Sequence, residues 1–279
     1  FPPGRLLPDA IESGVQKTSY TNYNWVDQNP ASGDWTGFRS VHIFILPFME
    51  QQNVYDLIDF NAPSALRMTQ SGVPWNTNYE AYNTAQGLYL CPSDTNTGRK
   101  ISENNYRYNF GGSTPYGGAE SSTKQTTHSA TSSDGFSCKG NGAFTAGEGL
   151  DPADFRDGLS NTVFYSERTK GSGVDPASTP PQQEDVVTMP SRTDGLVPRD
   201  TMFADCLSYT PAPSGFNFPS AGRWLPGSDF SNGWPFAAYS STMYNHVAPP
   251  NWKGQDCGNW SAIADTPGGR VAASFGGTR

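Results

Sequence analysis

A chain of 279 residues is long enough to bury a core, and at 13% aromatic content it is not a disordered composition. Thirty glycines and 23 prolines imply many turns and few long regular elements. A net charge of −8 without a basic stripe argues against nucleic-acid binding, which needs phosphate neutralisation.

Residues 1–38 read as turn chemistry with interleaved aromatics (Tyr20, Tyr23, Trp25, Trp35, Phe38). Residues 46–61 carry the clearest amphipathic helix signal. Pro47 suits a first helical position, where a missing N–H costs nothing, and Glu50 complements the dipole at the helix start. Phe48, Met49, Val54, Leu57 and Ile58 fall on one broad apolar side. Phe44, Phe48, Met49 and Leu57 are expected to hold this region to a sheet. Residues 40–60 are expected to form one or two short helices, broken near Pro47 because the residue before a proline avoids helical angles. Residues 62–86 read as loop.

Strands are expected at residues 87–91, stopped by Pro92, at residues 106–110, ended by Gly111-Gly112, and at residues 162–166. Two polar stretches, residues 113–135 and 170–200, read as surface insertions. Residues 205–279 alternate short aromatic segments with turns. No repeat of fixed period and no linker between distinct halves is present, so residues 1–279 are expected to form one domain.

Chemistry-bearing motifs are sparse. There is no G-x-S-x-G elbow, no G-x-G-x-x-G and no Walker A sequence, and His42, His128 and His246 stand in no triad pattern. No enzymatic activity is expected. Cys91, Cys138, Cys206 and Cys257 form no CxxC pair, which argues against zinc. Four widely spaced cysteines in a polar chain fit two disulfides in an oxidising compartment, Cys91–Cys138 and Cys206–Cys257 on proximity. Three connectivities exist, and four buried thiols are the alternative. The acidic run Glu148 to Gly158 offers Asp154 and Asp157 as oxygen ligands for calcium, although its spacing is not that of an EF-hand. Its plainer reading is an Asp157-Gly158 turn with solvated carboxylates. Trp25, Trp35, Trp75, Trp224, Trp234, Trp252 and Trp260 stand in polar loops. They are expected to plug a core poor in aliphatics, the alternative being a secreted carbohydrate-binding module that stacks them on glycans.

An ordered set of landmarks runs along the chain. It begins with Phe1-Pro2-Pro3-Gly4 and Leu46-Pro47-Phe48-Met49-Glu50-Gln51-Gln52-Asn53-Val54-Tyr55. Leu90-Cys91-Pro92-Ser93-Asp94 follows, then Asn105-Tyr106 and Asn109-Phe110-Gly111-Gly112. Next come Asn141-Gly142-Ala143-Phe144, Asp157-Gly158-Leu159-Ser160-Asn161-Thr162-Val163 and Ser166-Glu167-Arg168. Tyr244-Asn245-His246-Val247-Ala248-Pro249-Pro250-Asn251 closes the set. The set resembles the planctomycete-type family of pseudopilin-like proteins. That resemblance implies a prepilin-type signal and hydrophobic helix before Phe1, and a His-x9-Asp-Gly element beyond the last residues; neither is within this chain.

The resemblance further implies an α+β, pilin-like fold: an N-terminal helical part packed on an antiparallel β-sheet, loop-rich, with long insertions. It implies a structural subunit, extracellular or at the cell surface, that associates with itself or with other pilin-like subunits in a filament or a type II secretion-like apparatus. Membrane attachment would run only through the helix before Phe1. Calcium binding in related pseudopilins adds weight to Asp154 and Asp157 without a position-by-position match.

Overall fold

The computed structural model describes residues 1–4, 39–60, 76–94, 103–111, 142–145, 149–168, 233–237, 242–246 and 248, the backbone of several short strands elsewhere, and single positions at 204 and 207. In chain order the elements are β1 (Ala10–Glu12), β2 (Val15–Lys17), α1 (Val41–Ile45), α2 (Gln52–Asp56), β3 (Thr69–Gln70), β4 (Val73–Pro74), α3 (Tyr79–Thr84), β5 (Tyr106–Gly111), β6 (Tyr165–Glu167), β7 (Val186–Met189), β8 (Met243–Asn245), β9 (Asp256–Asn259) and β10 (Ala273–Phe275). Short 3-10 turns lie at Leu46–Met49, Pro152–Asp154 and Leu159–Asn161.

The principal sheet has six strands in the order β6-β5-β8-β10-β9-β7. It is mixed, which corrects the expected antiparallel sheet. β5 pairs antiparallel with β6, and β9 with β10, while β5–β8, β8–β10 and β7–β9 are parallel. The cause is chain order: β5 and β8 are neighbours in the sheet but far apart in sequence, and a long connection can return in the same direction, as a tight hairpin cannot. The stretch at 170–200 is also corrected as pure surface decoration, because Val186–Met189 supplies an edge strand paired along its length with Asp256–Asn259. The stretch at 113–135 lies outside the described residues.

Residues 40–60 fold as two short helices with a 3-10 turn between them. Pro47 has no N–H to continue α1, so the chain tightens into the turn. Glu50 then takes a left-handed conformation (φ 60°) and donates its N–H to the Leu46 carbonyl, as does Gln51 at 3.0 Å. That residue resets the phase of the chain. At about 100° per residue even one continuous helix would set Phe48 on the side opposite Leu57. With the break, the inward positions are Leu46, Val54 and Ile58.

The expected core role of Phe48, Met49 and Leu57 is therefore corrected: they are 87%, 37% and 50% exposed. Phe44 is half-buried, with its ring stacked 6.3 Å from that of Phe60. The segment at 87–91 is turn rather than strand. Gly87 has φ +88°, and the Leu88 and Leu90 N–H groups are spent on the Ala85 and Gly87 carbonyls. Helix α3 was not expected. Its signals are the Asn76 side chain, which accepts the Asn78 N–H at 2.8 Å, and apolar Ala81, Tyr82 and Ala85 at helical spacing.

The core has two buried clusters. One gathers Ile43, Leu46, Val54, Ile58, Tyr82, Tyr89, Trp234 and Phe236 between the helices; the other gathers Val41, Tyr108, Ala143, Phe144, Ala237 and Met243 on the sheet. Helix α1 joins them: Val41 belongs to one cluster, Ile43 to the other, and Ile45 packs against both. Its start is tied down by Ser40, whose N–H donates to Pro235 O at 3.0 Å and whose hydroxyl donates to Trp234 O at 2.5 Å.

Candidate functional site

The landmarks that are scattered in sequence meet in space at two places. The first is a node around Asn105, which is buried. Its Oδ1 accepts the Cys91 N–H at 2.9 Å, and its Nδ2 donates to Arg168 O at 2.9 Å and to the Asp94 carboxylate. Its backbone N–H donates to Tyr89 O at 2.9 Å, and its carbonyl accepts the Arg168 N–H at 2.7 Å. One asparagine thus joins the Cys91-Pro92-Ser93-Asp94 turn, the start of β5 and the end of β6. A short amide side chain offers an acceptor and two N–H donors together at this reach.

The second place is a seat for residues 1–4. The Phe1 nitrogen donates to Leu150 O at 2.8 Å and the Gly4 N–H donates to Thr145 O at 2.8 Å. The Tyr108 hydroxyl donates to Gly4 O at 2.7 Å. The Phe1 ring rests on Phe155 and Phe164, with centroids 5.4 and 4.9 Å away. The approach is so close that a Cβ on Gly149 would lie 2.3 Å from Phe1 O, which is why glycine stands there. Asn109 supports the seat from β5: its Nδ2 donates to Val163 O at 3.0 Å, and its carbonyl accepts the Phe144 N–H at 3.1 Å.

The described part of the acidic run, residues 149–158, frames this seat. The Asp154 carboxylate accepts the Asp151 N–H at 2.8 Å, the return half of a capping box around Pro152–Asp154. Asp157 contributes its backbone carbonyl to Asn161 Nδ2 at 2.6 Å, and Gly158 turns the chain at φ +84°, as the Asp-Gly turn predicts. Both aspartates are exposed, and among the described residues no three His, Cys, Asp or Glu side chains converge as a metal needs. The Asp154 carboxylate is committed to a helix end.

Cys91 is a half-buried thiol free of any described partner, and Cys138, its expected disulfide partner, lies outside the described residues. Cys206 lies outside them too, and of Cys257 only the backbone in β9 is described. Trp234 is fully buried and plugs the helical cluster; the other six tryptophans lie outside the described residues.

One group escaped sequence reasoning. His42, in α1, is fully buried, and neither ring nitrogen has a hydrogen-bond partner. Three tyrosine rings surround it: Tyr89 at 4.4 Å, Tyr165 at 5.7 Å and Tyr108 at 5.8 Å between centroids. Burial is the main cause that pushes its pKa down from 6.5 to about 3; a polar backbone group of Tyr106 opposes the shift and the Arg107 charge adds to it. Burial likewise pushes the Tyr89 and Tyr165 hydroxyls far up, so no tyrosinate is available to pair with the ring. The sequence signal was a single histidine inside the apolar run Val41-His42-Ile43-Phe44-Ile45.

Among the described residues no helix is long and apolar enough to cross a membrane. Residues 1–269 match the family described as "Protein of unknown function (DUF1559)", and the chain belongs to that family. It is a family of planctomycete-type pilin-like proteins. No curated protein and no solved structure matches the chain.

Proposed function

We propose that this member of the DUF1559 family is the water-facing domain of a pilin- or pseudopilin-like structural subunit, without enzymatic activity, located outside the cell or on its surface. The observation that carries the reading is the family match over residues 1–269, nearly the whole chain. The seat of residues 1–4 supports it. Two backbone hydrogen bonds, a tyrosine hydroxyl and three phenylalanine rings in edge-on and tilted contact fix the direction in which the chain enters the domain. A subunit that hangs from a helix needs such a rigid joint, because slack at the joint would be amplified across the assembly.

In this reading the partners are further copies or other pilin-like subunits, in a filament or a type II secretion-like apparatus. Negative-stain electron microscopy of the native full-length protein tests it. Ordered filaments, or particles containing several copies, are the expected result. Isolated monomers that carry an intact hydrophobic helix would overturn it.

A further inference from the structure

We propose that His42 makes α1 an acid-operated latch, in which proton uptake by the imidazole releases α1 from the sheet. The inference is independent of how the subunit assembles.

The placement carries the argument. Helix α1 joins the two core clusters, so whatever dislodges it uncouples the helical cluster from the sheet. His42 is the second residue of α1, fully buried, and neither ring nitrogen makes a well-formed hydrogen bond, the Tyr106 backbone being a weak approach only. A neutral imidazole without partners already costs free energy in such a place. The protonated ring carries two N–H donors and a full charge.

Among the described residues the groups that face it offer that charge no counterion, and only the backbone of Tyr106, a weak partner that burial outweighs, favours the charged ring. Tyr89 approaches from the turn after α3, Tyr108 and Arg107 from β5, and Tyr165 from β6. Arg107 repels it. The Tyr89 hydroxyl is committed to the His42 carbonyl at 2.7 Å. The Tyr165 hydroxyl is buried without a partner. A ring charged in place is therefore worse than a ring charged in water, and the proton is taken up by opening the site.

The sign follows from linkage. At pH above 6.5 the ring is neutral folded and unfolded, and the latch holds at full strength. As pH falls below 6.5 the open state binds a proton that the closed state refuses, down to about pH 3. Over that window one such group lowers the closing equilibrium by about tenfold per pH unit.

The test compares the 279-residue chain with His42→Leu in urea titrations from pH 8 to pH 5, above the range where ordinary carboxylates titrate. The folding constant of the unaltered chain is expected to fall by about an order of magnitude more than that of the variant between pH 6.5 and 5. Parallel losses in the two proteins would overturn the latch. Should His42→Leu fail to fold, two measurements on the unaltered chain decide. The His42 ring resonances are expected to stay those of a neutral imidazole while the domain is closed; titration near pH 6.5 in the closed state overturns the proposal. Amide exchange in residues 41–45, after correction for intrinsic pH dependence, is expected to gain more between pH 7 and 5 than exchange in α3; equal change in both overturns local release.

Discussion

The two core clusters are built on different principles. The helical cluster is held by side-chain volume: Trp234 touches Tyr82 and Tyr89, each with centroids 5.3 Å away, over a floor of Leu46, Val54 and Ile58. The sheet cluster leans on polar bracing as well. Around it Asn105 and Asn109 tie the turn after α3, β5 and β6 together through side-chain amides, and the seat of residues 1–4 is bonded mainly through the backbone. A chain poor in aliphatics and rich in turns cannot fill its whole interior with leucine. One half of the domain therefore uses large aromatics, and the other spends asparagine amides on loop carbonyls that would otherwise be unsatisfied.

The comparison breaks most sharply at Trp234. Trp234→Ala should cost about 3–5 kcal/mol, since the largest buried side chain is lost and the surrounding packing relaxes only partly into the space. Trp234→Phe should cost clearly less, because it keeps most of the volume and removes an indole N–H that has no partner. Equilibrium denaturation read by far-UV circular dichroism measures both. If phenylalanine is as damaging as alanine, volume is not what holds this cluster.

The polar side is tested by Asn105→Ala. It leaves the Cys91 N–H and the Arg168 carbonyl without the amide, for a loss of about 2–3 kcal/mol. Asn105→Asp keeps the acceptor but sets a second carboxylate against Asp94, so it should be rescued in part as pH falls and the carboxylates are neutralised. A destabilisation that does not respond to pH would mean the Asp94 contact contributes nothing.

This division also explains which parts of the fold the sequence disclosed. The strand at 106–110 was legible from its alternation, and β5 is there. Yet the alternation does not separate inside from outside, since Arg107 and Asn109 are buried along with Tyr108. The helical region at 40–60 was legible, and so was its break near Pro47. Its inward face was not, because a single left-handed residue, Glu50, sets the phase and carries no sequence signal as glycine would. The landmarks carry a resemblance to the family, but their meeting at Asn105 and at the seat depends on pairings between residues more than 60 positions apart, such as Asn105 with Arg168. His42 was passed over for the same reason: its cage is assembled from α1, the turn after α3, β5 and β6.

A smaller effect separates the seat from the sheet beneath it. Gly149→Ala places a methyl 2.3 Å from Phe1 O and should cost about 1–3 kcal/mol as residues 1–4 lift away. Phe1→Ala removes the ring from Phe155 and Phe164. Because both changes undo one contact, the double variant should be less destabilised than the two single losses added together. Strict additivity would place Gly149 outside the seat.

The smallest expected effect distinguishes the observed helical cluster from the one the apolar stripe implied. Phe48 and Leu46 stand two residues apart on the same 3-10 turn, Phe48 at 87% exposure and Leu46 at 0%. Leu46→Ala should cost about 2–5 kcal/mol, in the range for a filled core site. Phe48→Ala should stay within about 0.5 kcal/mol, as surface substitutions do. The apolar stripe, with Phe48 in the core, predicts a large cost at Phe48 instead. The contrast in one pair of denaturation curves therefore reports which side of the 3-10 turn faces the core in solution. Glu50→Gly sharpens it: glycine enters the left-handed region without the Cβ penalty, so it should raise stability by up to about 1 kcal/mol if the turn is real and lower it by a similar amount if residue 50 is helical.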